Sequence, residues 1–185
     1  MLSKFALCLF GVLWCFTSLV QALPTWEGLN PRNDFMSAIV PSTTFIQVLG
    51  PRDIITTQSH LTSNIPGEPG NLTALPTVEL RAPPLFSLHK NQLWQYRNWT
   101  TIYPVVVKNT TLVDGVPPLQ LTLGKQHTGV VSGGTWTWRG TMLQYNLGSS
   151  GNSGIYYTCP LGDTTGIFMF LEPSPPPAGC HAITL

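Results

Sequence analysis

From Leu85 to the C-terminus, no stretch of this chain sustains an apolar repeat of helical period, because Gly, Pro or Asn keeps interrupting it. What is left is a succession of short pieces that fit strands. "LFSLHKNQLWQY" is two apolar runs around Lys90 and Asn91, which predicts a hairpin with a two-residue turn. In "TIYPVVV", Pro104 predicts an edge strand or a bulge. "PLQLTLG" alternates, "TGVVSGGTWTW" turns at Gly133 and Gly134, and "TMLQYNL" runs into the flexible composition of "GSSGNSG". "GIYYTC" sends Tyr156 and Tyr157 to opposite faces, whereas "GIFMFLE" is apolar on both and predicts a central, buried strand. "HAITL" supplies a last short strand. These signals predict an all-β chain, an antiparallel β-sandwich or barrel over residues 85–185.

The preceding part has a different texture. Residues 23–84 are rich in Pro, Thr and Ser, as in "SNIPGEPGNLTALP", and read as a partly irregular lead-in. Its short apolar pieces "FMSAIV" and "TFIQVLG" would at most add edge strands. Ahead of it, residues 1–22 carry one basic residue, Lys4, an apolar run to about Val20, and small residues at Val20 and Ala22. That pattern predicts a secretory signal peptide cleaved after Ala22. A membrane anchor is the rival, since the run nears the length that spans a bilayer. No stop-transfer charge cluster follows it. The closing "CHAITL" is too short for a GPI tail, so the expectation is a freely secreted, extracellular chain.

Three sequons fit that destination: Asn71 in "NLT", Asn98 in "NWT" and Asn109 in "NTT". Each must reach the surface to carry a glycan. Asn109 is the foremost, because "VKNTTL" reads as a loop leaving an apolar strand. Cys8 and Cys15 leave with the signal, so the mature chain keeps Cys159 and Cys180 alone. In an oxidising compartment this pair predicts a disulfide. It would close a loop of about 20 residues and stabilise by ~3 kcal/mol in the chain-entropy model.

Charge narrows the function. Only 9% of residues are charged, and removing Lys4 from nine basic residues leaves eight against eight acidic ones. No basic stripe offers itself to a phosphate backbone, so no nucleic-acid partner is expected. Nor is there a basic amphipathic helix for a membrane surface. A surface so poor in charge would lean on its glycans for solubility.

The strand "TWTWR" poses the main question about a site. Trp136 and Trp138 share one strand face, about 7 Å apart. Such indoles, extended by Tyr145, could form an aromatic platform that stacks on successive sugar rings. The alternative, and the primary reading, is that they are large core residues. Trp94, Tyr96 and Trp99 form a second aromatic group, read as packing beside the Asn98 sequon. His60, His89, His127 and His181 are isolated in sequence and show no metal-site spacing, so neither a metal nor another cofactor is expected. The acids of the β region, Asp114, Asp163 and Glu172, each lie beside Gly or Pro in turns, where solvation explains them better than glycoside hydrolysis does. "GSSGNSG" lacks the strand–elbow–helix context of a serine nucleophile. No catalytic residues are assigned.

The segments "GGTWTWRGTMLQYN", "GIYYTCP" and "GIFMFLEPSPPPAGCHAITL", about the last third of the chain, resemble an uncharacterised group of small secreted proteins from filamentous, especially mushroom-forming, fungi. The resemblance implies secretion and a fungal setting, and carries no catalytic residues across. The expected function is thus non-enzymatic: a secreted glycoprotein binding an extracellular protein or a cell-wall component. A carbohydrate-binding module using Trp136, Trp138 and Tyr145 is the alternative, and a secreted hydrolase ranks last.

Overall fold

A computed structural model describes residues 42–185 apart from 52–54, 56, 81, 99, 111–118, 126–127 and 173. The expected signal peptide, the part of the lead-in before Ser42, and Trp99, Asp114 and His127 lie outside the described residues. Among the described residues the chain is all-β. It forms β1 (Thr43–Thr44), β2 (Gln47–Val48), β3 (Ser59–Ser63), β4 (Gly70–Pro76), β5 (Leu85–His89), β6 (Gln92–Asn98) and β7 (Thr101–Asn109). These are followed by β8 (Leu119–Leu123), β9 (Thr135–Arg139), β10 (Met142–Leu147), β11 (Ser150–Gly151), β12 (Ile155–Leu161), β13 (Thr164–Met169) and β14 (His181–Thr184). One 3₁₀ turn, Thr77–Glu79, follows β4.

All pairings are antiparallel, and the main sheet curls into a half-barrel. Its path runs β1-β5-β6-β7-β8-β13-β12-β14, with a fork at β8. One edge of β8 pairs with β7. The other is shared: Leu119 and Gln120 pair with β13, and Thr122 and Leu123 pair with β4. Strand β4 continues to β3, and β3 to β2. Leu49, just past β2, then bridges to Thr184 of β14, each N–H donating to the other's carbonyl at 3.0 and 2.8 Å. The pairings β8-β13-β12-β14-β2-β3-β4 therefore form one circuit completed by that bridge, while β1 stays at the open end of the path.

Residues 43–76 thus enter the same sheet as the residues after Leu85, and one compact unit runs from Val40 to the C-terminus. The chain before Leu85 supplies more than edge strands, since β3 is buried at all five positions and β4 pairs on both sides. Composition hides this because "SHLTS" holds a single large apolar residue, Leu61, and its polar neighbours are buried with it.

Several local signals are realised directly. Lys90 and Asn91 both take left-handed backbone (φ 50° and 60°), closing β5–β6 with the primed two-residue turn whose twist matches the strands. Strand β13 lies between β8 and β12 and is buried from Gly166 to Met169. Tyr156 joins the main core, and Tyr157, one residue on, joins a second cluster with Cys159, Phe168 and Cys180 on the opposite face.

Two expectations change. Pro104 does not place β7 at an edge, since β7 pairs with both β6 and β8. The proline sits where the β7–β8 ladder ends. Its carbonyl accepts the Gly124 N–H at 2.8 Å, and the donor it lacks is the last in the row. Strand β8 alternates in sequence yet is buried at every position, including Gln120 and Thr122, because it lies at the fork of the sheet.

The disulfide joins Cys159 of β12 to Cys180 ahead of β14, two residues whose Cα atoms lie 4.3 Å apart. The Tyr157 hydroxyl donates to the Ser174 carbonyl and holds the proline-rich segment over the second cluster. A separate three-stranded sheet, β11-β10-β9, lays Trp136, Leu143 and Tyr145 into the main core. Three hydrogen bonds anchor it: Trp136 N–H to Asn91 O (2.8 Å), Leu143 N–H to Leu185 O (2.7 Å), and Tyr156 O–H to Leu143 O (3.0 Å).

Candidate functional site

The two tryptophans of β9 share a strand face but not an environment. Trp136 is 1% exposed and Trp138 is 38% exposed. The difference follows from how the small sheet is held. The Trp136 end of β9 is bonded to the β5–β6 turn, while the Trp138 end approaches the Gly140 turn at an outer strand of the sheet. Tyr145, directly across from Trp136, is 2% exposed, and the two rings lie 4.9 Å apart with a 60° tilt. A flat platform of Trp136, Trp138 and Tyr145 is therefore not presented to solvent. Trp136 is core, as the primary reading of this strand expects, and so is Tyr145; Trp138, which that reading also places in the core, is not.

Each tryptophan instead borders a different cleft. The first, ≈ 400 Å³, has Phe45, Leu49, Trp138 and Met142 among its lining, together with Thr44, Gln47, Thr141 and Thr184. Phe45 (47%) and Leu49 (56%) are even more exposed than Trp138, and Met142 is half-exposed. No ionisable side chain lines this cleft. The second, ≈ 230 Å³, lies between β7 and the segment from Val130 to Gly134, with Trp136, Tyr145 and Gln92 in its wall. The Gln92 amide is fixed there by donating to Leu93 O at 3.0 Å and Val105 O at 2.7 Å.

Phe45, Leu49, Met142 and Gln92 are site residues that the composition-based reading passes over. The signal for the first two was present in "TFIQVLG". Ile46 and Val48 are buried on one side while Phe45 and Leu49 are exposed on the other. A short segment that buries Ile46 and Val48 yet exposes Phe45 and Leu49 is a sign of a contact surface. Nothing local marks Gln92, whose role depends on the fold of β7 against β6.

The sequons differ in setting. Asn98 is exposed at the end of β6, and its Oδ1 accepts both the N–H and the hydroxyl of Thr100 at 3.0 Å. Asn109 is exposed at the end of β7. Asn71 is half-buried within β4, and Thr73 of the same sequon is buried with its hydroxyl 2.6 Å from that of Thr165.

Among the described residues the histidines and acids singled out in the sequence do not converge. His60 is buried against the edge of Phe45, its Nδ1 3.1 Å from the Thr77 hydroxyl, and burial lowers its pKa. His89 and His181 are exposed on other strands, and Asp163 and Glu172 are exposed outside the sheet core. Among the described residues no three His, Cys, Asp or Glu side chains cluster to hold a metal. No helix among them is long and apolar enough to cross a membrane. No family model, curated protein or solved structure matches the chain.

Proposed function

We propose that this is a secreted, N-glycosylated, non-enzymatic protein that binds an extracellular protein or cell-wall component through the Trp138 cleft, in a fungal setting. The observation that carries the reading is the cluster of exposed Phe45, Leu49, Trp138 and Met142 around one concavity. Contiguous exposed apolar side chains are costly to leave in water and mark contact surfaces. Aromatic and Met side chains are enriched where proteins meet. The "MLSKF…VQA" leader, the Cys159–Cys180 bond and the exposed Asn98 and Asn109 fit a secreted protein.

A carbohydrate ligand is the second reading, and it now rests on Trp138 alone. A lone accessible indole bordered by the uncharged polar groups of Gln47, Thr44, Thr141 and Thr184 can face one sugar ring. The test is retention on isolated fungal walls, on the same walls stripped of protein, and on immobilised culture-medium proteins. Wild type is compared with folded Trp138→Ala and Leu49→Ser variants. Retention that falls in both variants is expected. Retention on stripped walls would select the carbohydrate ligand. Equal retention of wild type and variants, or none by the wild type on any surface, would contradict the proposal.

A further inference from the structure

We infer that the smaller cleft, between β7 and residues 130–134, is a binding site for a small uncharged molecule that presents a carbonyl or hydroxyl oxygen to Trp136 and Tyr145. It shares no lining residue with the Trp138 cleft, so it stands or falls independently of the proposed function.

Two donors in the wall of this cleft are left without a protein acceptor. Among the described residues, neither the Trp136 indole N–H nor the Tyr145 hydroxyl has a hydrogen-bond partner, and neither atom is sealed from solvent. Trp136 and Tyr145 are 1% and 2% exposed, and both line the cleft. Both rings, 4.9 Å apart, line this one concavity, and each carries a hydrogen-bond donor. Burial raises the Tyr145 pKa, which keeps the phenol protonated as a donor. Gln92 adds an acceptor: its Nε2 is held by two carbonyls, and its Oε1 has no partner among the described residues.

The backbone is shaped to this hydroxyl. A Cβ built on Gly134 would stand 1.8 Å from the Tyr145 oxygen, so any other residue there would collide with it. The rest of the wall mixes the apolar side chains of Pro104, Val106, Val130 and Val131 with Ser132 and backbone, and no charged side chain contributes. A charged ligand would lose its hydration without gaining a counter-charge. The volume lies below the ~300–1,000 Å³ of clefts that hold drug-sized ligands. The occupant is thus about one ring in size, apolar over most of its surface, with an oxygen at the donors.

Cyclohexanone is the probe, titrated into the whole secreted protein with ¹⁵N-labelled indoles. The Trp136 indole N–H resonance should move saturably in the millimolar range, while cyclohexanecarboxylate leaves it in place. Tyr145→Phe keeps the ring and should weaken binding about 2- to 10-fold, the worth of one hydrogen bond. Val130→Trp, placed on the exposed rim, should fill the cleft and abolish the shift. An absent or non-saturable shift, equal affinity in either variant, or equal binding of the carboxylate would overturn the assignment.

Discussion

At the scale of single residues, Trp136 and Trp138 are a matched pair of opposite meaning. They are chemically identical and two positions apart, yet one is core and the other borders an open cleft. Trp136→Ala should cost ~3–5 kcal/mol in urea unfolding, as deletions of large buried aromatics do. Trp138→Ala should cost about 1 kcal/mol, nearer the range of surface substitutions. Equal losses would mean that both indoles are core. A second expectation concerns Tyr156, buried and donating to Leu143 O, whose pKa burial drives upward from its ordinary value near 10. The neutral phenol is then favoured in the folded chain, whereas the unfolded chain ionises. Stability is fully present below about pH 10 and declines as pH rises above it. Tyr156→Phe should flatten that decline in alkaline unfolding curves, and an unchanged slope would show that the group does not govern it.

At the scale of elements, the β5–β6 turn and the Cys159–Cys180 strap make separate contributions. Asn91→Val puts a β-branched side chain at a left-handed position and should cost about 1–2 kcal/mol, whereas Asn91→Gly should be neutral or stabilising. Replacing both cysteines by serine should cost ~3 kcal/mol, read as a lower urea midpoint. How legible these elements were depended on where their information lay. The Lys90-Asn91 turn, the two-sided apolar pattern of β13 and the single cysteine pair are local, and local patterns suffice to place them. Strand β3 was not legible, because its burial comes from β2 and β4 and not from its own polar composition. Pro104 misled in the same way, since its tolerance inside the sheet depends on Gly124 ending the ladder opposite it. The split of Trp136 from Trp138 could not be read from alternation, which gives a shared face but not where the neighbouring sheet stops.

At the scale of the whole molecule, the chain combines few charges with an exposed apolar cleft. Such a surface tends to self-associate, and bulky glycans at Asn98 and Asn109 would oppose that. Enzymatic deglycosylation of protein purified from culture medium should lower its solubility, measured as soluble protein after concentration, and unchanged solubility would count against a solubilising role. The Leu49–Thr184 bridge links the end of β2 to β14, the last described strand, and so joins early and late parts of the chain in one circuit. Leu49, the bridging residue, also lines the cleft together with Trp138 and Met142. The most direct measurement of the binding claim is photo-crosslinking from position 138, with a benzophenone amino acid in place of Trp138 and culture-medium and wall extracts as bait. The predicted result is a discrete adduct that excess wild-type protein competes away and a folded Phe45→Ser, Leu49→Ser variant does not. No adduct, or equal competition by that variant, would contradict binding at this cleft.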